Sequence, residues 1–254
     1  MAETTSRSTP RSTIALTLGG IVLLAMGAGG GWLFEKNRGG SLDRAEVEQT
    51  VREYILANPE ILPEAMEKLR AKENAKQVAG SSDAIFTPFP GAVLGNPQGK
   101  VTLVEFTDFA CSFCRSSVPD VEALIKANPE LRVVIRELPI IAATSPEAAR
   151  WGLAAAEQGR YPQFHRTMFA AGRTDSASIE AAARAAGLDL ERARRFTQDP
   201  RVKAELDANL AHARDLRLEG TPAFVVGEQL LTGAVGKEAL AKAIAEESGT
   251  RSAS

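Results

Sequence analysis

The sequence predicts an α/β protein, and three patterns lead to this assignment. The chain has a run of β-branched and aromatic residues over 101–109. A helical pattern follows it, and then a second apolar run over 131–138. Strand, helix and strand in this order make a βαβ unit with two parallel strands. The Ala-rich region 145–217 has an almost wholly helical pattern, so we expect a set of short helices there.

Composition and charge place few limits on function. The chain has 254 residues, 44% of them hydrophobic, which is ordinary for one globular domain with appendages. Its formal net charge is -2, so it lacks the basic field on which nucleic-acid binding depends. We therefore expect no nucleic-acid partner.

The N-terminal region, residues 1–40, contains an apolar segment over 14–34 without any charged side chain. A helix of that length spans about 30 Å, the thickness of the hydrocarbon core of a membrane. The segment is therefore predicted to be a membrane anchor, and the alternative is a cleaved signal peptide with its apolar core at 14–26. Both alternatives indicate export or membrane insertion, and hence a compartment in which disulfides persist.

The next region, 41–80, is predicted to form a helical stalk. Residues 42–78 have a helical pattern that is interrupted at Asn58-Pro59. The apolar residues make one narrow stripe that a short helix cannot bury on itself: Val47, Val51, Ile55, Leu62, Met66 and Leu69. The stripe either packs on the rest of the protein or pairs with copies of itself in a homo-oligomer.

The remaining elements follow from periodicity and from the positions of Gly and Pro. Residues 80–100 are rich in Gly, Pro and Ser and are predicted to be a linker with one short strand. Two short strands should flank Gly227-Glu228 as a hairpin, before a terminal helix over 237–246 and a disordered tail. Breaks within the helical region are expected at 159–162, 172–176, 187–189 and 199–200.

The two cysteines of the chain, Cys111 and Cys114, lie in the stretch "FACSFCR". They fall where the first predicted strand ends and a helix begins, and the amides and dipole of a helix N-terminus stabilise a thiolate. Zinc would need four ligands, and only His165 and His212 are available besides, without the spacing of a zinc site. A structural disulfide across so short a loop would stabilise poorly. The pair is therefore predicted to be redox-active, with Cys111 as the attacking thiolate and Cys114 as the shielded resolving thiol.

These motifs resemble the thioredoxin-fold proteins of the DsbA family. The resemblance is carried by "VTLVEFTDFACSFCR", the βαβ unit, the helical region and "GTPAFVVG", in that order, and it covers about residues 84–248. It implies a thioredoxin fold in which the helices over 145–217 form an inserted subdomain. The fold class is thus an α/β thioredoxin fold with a helical insertion, preceded by the stalk and the membrane segment.

The resemblance also implies which residues contact a substrate. Thr221-Pro222 matches the cis-proline loop of the family, which faces the cysteine pair and offers backbone groups to a substrate peptide. From the sequence alone, Pro222 could instead be a trans proline at the start of an edge strand. Ser112 and Phe113, between the cysteines, are expected to contact the same substrate.

Glu105 lies six residues before Cys111 and matches the buried acid of the family below the resolving cysteine. The alternative is an outward-facing strand residue. Because Leu103, Val104 and Phe106 are all apolar, the strand is expected to be buried on both faces. A carboxyl group there would have a raised pKa and could exchange protons with Cys114.

Some features depart from the archetypal oxidase of the family. Thr221 stands where that oxidase has Val. Thr is the residue found at this position in the isomerase branch and in the copper-tolerance-linked ScsC-like branch. The dipeptide between the cysteines is Ser-Phe, without the His that helps to stabilise the thiolate of the oxidase. The region 42–78 is similar to the N-terminal segment with which ScsC-like proteins form oligomers, so the resemblance favours self-association of the stalk.

We therefore expect a thiol–disulfide oxidoreductase that leans toward isomerase activity and needs no cofactor or metal. Its expected partners are exported cysteine-containing proteins and a membrane redox protein. The expected location is the inner membrane with the catalytic domain in the periplasm, or the periplasm itself after signal cleavage. The alternatives are a Cu(I)-binding protein that uses the same two thiolates, and an oligomeric scaffold that only binds peptides.

Overall fold

The structure is a computed structural model that describes residues 43–80 and 83–253. The membrane anchor or signal segment predicted within 1–40 lies outside the described residues. Within the described ranges, no helix is both long enough and apolar enough to cross a membrane. The chain divides into two compact units, with the boundary between Ala65 and Met66.

The first unit contains helix α1 (Arg44–Ala57) and the start of helix α2 (Ile61–Gly80). The Asp43 carboxylate caps α1 by accepting the Ala45 N–H at 3.3 Å. At the other end the Asn58 N–H and side-chain amide both donate to the Tyr54 carbonyl, so the helix ends at the predicted break. No residue of α1 is buried, and most of the predicted stripe in the two helices is exposed: Val47, Val51, Leu62, Met66 and Leu69.

The second unit is built on a five-stranded sheet in the order β1-β3-β2-β4-β5. The predicted βαβ unit is confirmed, because β2 and β3 pair in parallel with Val101 opposite Leu131, while all other strand pairs are antiparallel. The central strand β2 is buried along its whole length. The strands are β1 (Val93–Gly95), β2 (Val101–Thr107), β3 (Leu131–Glu137), β4 (Ala223–Val226) and β5 (Gln229–Thr232).

Helices cover both faces of this sheet, and the breaks between them fall where Gly and Asp-Pro predict them. Helix α3 (Ser112–Ala127) connects β2 to β3. Asp175, Asp189 and Asp199 each cap a helix of the inserted region through a side-chain oxygen. The helices of this region are α4 (Ser145–Glu157), α5 (Tyr161–Ala171), α6 (Ser176–Ala185), α7 (Leu190–Phe196) and α8 (Pro200–Asp215).

Two element boundaries differ from the sequence prediction. The terminal helix α9 runs over Lys237–Ala253, beyond the expected end at 246 and through the tail that was expected to be disordered. No proline interrupts this segment, and a single glycine costs a helix only about 1 kcal/mol. At the other end, the predicted stalk (41–80) reaches into the second unit: Asn74 donates to the Leu230 carbonyl at 3.0 Å, and Val78 is buried in a core with Ile85.

The two faces of the sheet bury different cores, and the cysteines belong to one of them. Leu103, Val133 and Phe224 point to the face that packs against α3, α9 and the inserted helices, and both cysteines lie in this core. The opposite face carries Val104, Phe106, Val134 and Val225. The carboxyl ends of the parallel strands β2 and β3 therefore lead directly to the cysteine pair.

Candidate active site

Cys111 lies at the N-cap of α3, at the end of the link 108–111 that follows β2. The link is a tight turn because Asp108 bonds to it twice. The Asp108 carbonyl accepts the Cys111 N–H at 2.9 Å, and its carboxylate accepts the Ala110 N–H at 2.8 Å. The strand–helix junction predicted from the sequence is thus present, with Cys111 beside the free amides of the first helical turn.

The Thr221-Pro222 loop faces Cys111, and its peptide bond is cis. Strand β4 runs antiparallel to β2 with Ala223 opposite Phe106, so the residues just before β4 meet the link just after β2. The Cys111 thiol donates to the Thr221 carbonyl, with the sulfur 3.2 Å from the oxygen. A pocket of about 350 Å³ lies along this loop and is lined by Arg217, Glu219, Gly220, Thr221, Pro222, Thr232 and Gly233.

Cys114 lies one helical turn after Cys111 and is completely buried. Burial raises the pKa of the Cys114 thiol far above its ordinary value, and the nearby Glu105 carboxyl raises it further. The hydroxyls of Thr221 and Thr107 and the backbone N–H of Asp108 act in the opposite direction, because they stabilise the thiolate. Both cysteines are free thiols in the structure.

Glu105 lies inside the protein as predicted, in the middle of β2 and on the face of the sheet that carries Cys114. Burial raises its pKa to about 8, and the Thr107 hydroxyl offsets part of that shift. Its Oε2 atom has no hydrogen-bond partner among the described residues. A carboxyl group with a pKa near neutrality, next to a thiol that must lose and regain a proton, has the properties of a general acid and base.

The remaining predicted contact residues differ in their exposure. Ser112 and Phe113 are exposed, and Phe113 keeps 64% of its surface in contact with solvent. Thr221 and Pro222 are buried, so the loop presents its backbone rather than its side chains. The four residues thus lie around Cys111, with one apolar side chain pointing outward.

Asp108 is a residue of the site that the sequence reasoning missed. In addition to the Ala110 N–H, its buried carboxylate accepts the N–H groups of Ile140 and Ile141, each at 2.8 Å. These three N–H groups come from two different loops, one before Cys111 and one after β3. Asp108 therefore fixes both loops to each other. The signal was its position, directly after a buried strand and three residues before Cys111.

Thr107, Glu137 and Tyr161 were also missed. Thr107 and Glu137 are opposite each other at the ends of β2 and β3, and both are buried. The Tyr161 hydroxyl donates to Glu137 Oε1 at 2.6 Å. Burial raises the pKa of Glu137 well above its usual range, and the Asp108 and Glu105 carboxyls add to this shift. An acid at the end of one strand and an aromatic residue in the inserted helices carry no sequence pattern that connects them.

The histidines are separate from the cysteine pair. His165 is buried between Phe109, Tyr161 and Phe169, and burial lowers its pKa to about 3, so it is neutral. His212 lies on α8. Across residues 43–80 and 83–253, no group of three or more His, Cys, Asp and Glu side chains is placed to bind a metal ion.

Comparison with known families identifies two regions of the chain. Residues 102–245 match the family described as DSBA-like thioredoxin domain. Residues 43–76 match the family described as copper resistance protein ScsC N-terminal domain. The first match covers the strands from β2 to β5, the cysteine pair and the inserted helices, and the second covers α1 and most of α2.

Solved structures have the same thioredoxin-like fold. A thioredoxin-like oxidoreductase from Silicibacter pomeroyi is 38% identical, with a TM-score of 0.63 over 66% of this chain and 97% of that chain. A periplasmic thioredoxin-like protein from Salmonella enterica serovar Typhimurium is 27% identical, with a TM-score of 0.58 over 65% and 93%. ScsC of Proteus mirabilis in a transitional conformation is 28% identical, with a TM-score of 0.61 over 82% and 97%.

Curated relatives add a different context. The protein named Na(+)/H(+) antiporter NhaA 3 of Salinispora tropica is 29% identical over 186 residues, which are 70% of this chain and 28% of that protein. The chain therefore spans less than a third of the length of this relative.

Proposed function

Because the chain belongs to the family of DSBA-like thioredoxin domains, we propose that it is a thiol–disulfide oxidoreductase whose clients are exported proteins with cysteines. One observation carries the proposal most directly. The Cys111 sulfur lies at the helix N-terminus, 3.2 Å from the carbonyl of the cis-proline loop, while Cys114 is buried one turn behind it. Cys111 is 4% exposed and Cys114 is completely buried, so the outer and the inner sulfur follow each other in the order that exchange requires.

The chemistry follows from the order of the two sulfurs. The Cys111 thiolate attacks a client disulfide, forms a mixed disulfide, and releases the other client sulfur as a thiolate. The Cys114 sulfur then attacks Cys111, the bond between Cys111 and the client breaks, and the client sulfur leaves with the electron pair. The proton lost by Cys114 goes to the Glu105 carboxylate, and the client ends reduced while the pair ends as a disulfide. The reverse sequence oxidises a client.

Variants of the two cysteines test the proposed roles. With the full-length chain, Cys111→Ser should abolish reduction of a multi-disulfide protein substrate. Cys114→Ser should instead accumulate mixed disulfides, because nothing displaces the client from Cys111. Non-reducing electrophoresis and mass spectrometry measure both outcomes. If Cys111→Ser accumulated the mixed disulfides, the assignment of the two roles would be reversed.

Within this class we propose that the chain leans toward isomerase activity and that its first unit self-associates. The stripe of α1 and α2 is exposed, and burial of a large apolar side chain contributes roughly 1.5–3 kcal/mol. The match of 43–76 to the ScsC N-terminal domain and the Thr before Pro222 support the same direction. Several Cys111 thiolates in one assembly would allow a client caught at one site to be released by another.

Removal of residues 43–65 tests this proposal, with the cut at the boundary between the two units. Because only 43–65 is removed and not the whole predicted stalk (41–80), the truncated chain keeps Asn74 and Val78, which belong to the second unit. The truncated chain should be a monomer by light scattering and should reactivate a scrambled multi-disulfide protein several-fold more slowly, with the reduction potential of the pair unchanged. A full-length chain that is itself monomeric would remove the support for the isomerase lean.

We also propose a periplasmic location for the catalytic domain, held at the inner membrane through 14–34 or released after cleavage there. The similarity to a periplasmic thioredoxin-like protein supports this location. The proposed redox partner is then a membrane protein that exchanges electrons with the Cys111–Cys114 pair. N-terminal sequencing of the protein from membrane and soluble fractions decides between an anchor and a cleaved signal.

Cu(I) binding by the same two thiolates is the second candidate. Its support is the similarity of 43–76 to the N-terminal domain of a copper resistance protein, together with the suitability of two thiolates for Cu(I). In that case Cu(I) should block alkylation of both cysteines, and the chain should show no exchange with client disulfides. Measurable exchange in the absence of copper would favour the oxidoreductase.

A further inference from the structure

Three buried oxygen atoms around Cys114 have no hydrogen-bond partner among the residues that the structure describes. They are Glu105 Oε2, Thr107 Oγ1 and Thr221 Oγ1. A buried polar group without a partner costs about 1–3 kcal/mol, so each such atom in a folded protein calls for a reason. Here all three lie near one sulfur that changes its protonation state during the proposed reaction.

The position of Thr107 follows from the alternation of side chains along β2. Residues two apart in a strand point to the same face, so Thr107 lies beside Glu105, on the face that carries Cys114. Thr107 is the last residue of β2 and is completely buried. It therefore shares a strand face with Glu105 at the end of β2 that leads to the cysteine pair.

The electrostatics of the cluster support this placement. The Thr107 hydroxyl lowers the pKa of Glu105 against the larger effect of burial, and it also lowers the pKa of Cys114. The Thr221 hydroxyl lowers the pKa of Cys114 but has no such effect on Glu105. Thr107 is therefore the hydroxyl that reaches both groups.

We propose that Thr107 is a catalytic residue that carries the proton between the Cys114 thiol and the Glu105 carboxylate. The inference deepens the proposed thiol–disulfide exchange and rests on it. A hydroxyl is suited to this task because it accepts a proton on a lone pair while it donates its own. Its lack of a fixed partner leaves it free to turn from one group to the other.

The step balances as follows. As the Cys114 sulfur forms its bond to Cys111, the Cys114 proton moves to the Thr107 oxygen and the Thr107 proton moves to the Glu105 carboxylate. The bond between Cys111 and the client breaks, and the client sulfur leaves with the electron pair. Thr107 ends unchanged and Glu105 ends protonated. In the reverse direction, Glu105 returns the proton to the Cys114 thiolate by the same route.

Other titratable groups face this cluster. Glu137 and Tyr161 interact with the Glu105 charge, and Asp108 lies in the link that carries Cys111. Burial and the Glu105 charge raise the pKa values of Glu137 and Tyr161. The rate of the Cys114 step should follow the ionisation of Glu105, whose pKa burial raises to about 8.

The two sulfur steps can be measured separately with the small aromatic disulfide 5,5′-dithiobis(2-nitrobenzoate) and the full-length reduced chain. The first thionitrobenzoate is released when Cys111 attacks, and the second when Cys114 resolves the mixed disulfide. Thr107→Val keeps the shape of the side chain and removes the hydroxyl. It should slow the second release at least tenfold and the first less than twofold.

Thr107→Ser is the matched control, because it retains a hydroxyl at the same carbon. It should restore the second release to within about threefold of the unchanged chain. Thr107→Ala provides a second variant without the hydroxyl if the Val variant folds poorly. The rate and amplitude of the first release report whether each variant has an intact site.

A double variant tests whether Thr107 relays the proton or only stabilises the Cys114 thiolate. In a Glu105→Gln background, Thr107→Val should slow the second release by less than twofold further, because the acceptor of the relayed proton is already absent. Thr221→Val removes a hydroxyl that lowers the pKa of Cys114 but not that of Glu105, so it should slow the second release by the same factor with and without Glu105→Gln. The relay is wrong if Thr107→Val matches the unchanged chain, slows both releases equally, or adds its full effect to Glu105→Gln. Absence of any second release from the unchanged chain would instead overturn the proposed exchange reaction.

Discussion

The two faces of the central sheet differ in how completely their buried charged and polar groups are hydrogen-bonded. On the face away from the cysteines, Arg136 is buried and its guanidinium is saturated with acceptors: the carbonyls of Ala84, Ile85 and Thr87 and the side chains of Glu205 and Asn209. On the cysteine face, Glu105 and Thr107 are equally buried, and each keeps an oxygen that has no hydrogen-bond partner within 43–80 and 83–253.

The difference separates a structural polar group from a reactive one. Arg136 joins the segment 83–87 to β3 and α8, and it does so because every donor has a fixed acceptor. An oxygen that must exchange a proton cannot be held in the same manner, since a permanent partner would fix its protonation state. The oxygens of Glu105 and Thr107 that lack a hydrogen bond among the described residues therefore lower the stability of the protein, and the rest of the fold offsets this loss.

Arg136→Leu should have the largest effect on stability. The substitution leaves the Glu205 carboxylate, Asn209 and three carbonyls without their donor, so we expect a loss of about 3–5 kcal/mol in the free energy of unfolding. Urea denaturation measures this loss. Arg132→Leu, on the same strand and with Thr102 as its side-chain partner, is the matched control and should cost under about 1 kcal/mol. Equal losses for the two variants would contradict the structural role of Arg136.

Glu105→Gln should have the next largest effect on stability, and the size of this effect should depend on pH. The folded protein keeps a proton on Glu105 up to about pH 8, whereas an unfolded chain releases it near 4.5. The folded state binds more protons in this window, so the stability of the unchanged chain falls as the pH rises from 4.5 to 8. The Gln variant should gain stability relative to it, on the order of 2–4 kcal/mol, between pH 5 and pH 8.

Denaturation at a series of pH values tests that gain, and the exposed Glu130→Gln provides the control with an unchanged profile. Glu137 is present in both proteins of the comparison, and the difference between them contains the titration of Glu105 together with its charge interaction with Glu137. A parallel displacement of the two profiles, without a pH-dependent gain, would show that Glu105 is ionised throughout.

Thr107→Val should have the smallest effect on stability. Its hydroxyl makes no hydrogen bond to any residue that the structure describes, and an apolar group of the same shape fits a buried site, so the free energy of unfolding should stay within about 1 kcal/mol. The same urea series measures it. A loss of 2 kcal/mol or more would mean that the Thr107 hydroxyl is as firmly bonded as the groups around Arg136.

Local patterns in the sequence predicted much of the second unit. The βαβ unit, the breaks between the inserted helices and the hairpin around Gly227 depend on neighbouring residues, and the structure confirms them. The cysteine pair was found because a strand end and a helix start are both local signals. The burial of Glu105 followed from the apolar residues on both sides of it.

The missed features depend on contacts between distant parts of the chain. Arg136 gave no sign of its burial, because its acceptors lie 49 to 73 residues away. Thr107 could have been found, since it shares a strand face with Glu105 and lies at the end of the strand nearest the cysteines. The boundary between the two units at Ala65 could not, because α2 continues through it without a break.

The hydrogen bonds of Asp108 have a consequence for how this protein can evolve. Besides the Ala110 N–H, its carboxylate accepts the main-chain N–H groups of Ile140 and Ile141, and these two residues are 45% and 48% exposed. Mutation at these two codons therefore changes exposed side chains while the link that carries Cys111 keeps its backbone anchor. The exposed surface at 140 and 141 and the sulfur chemistry can in this way drift independently under selection, and these two residues are suitable positions for a combinatorial library.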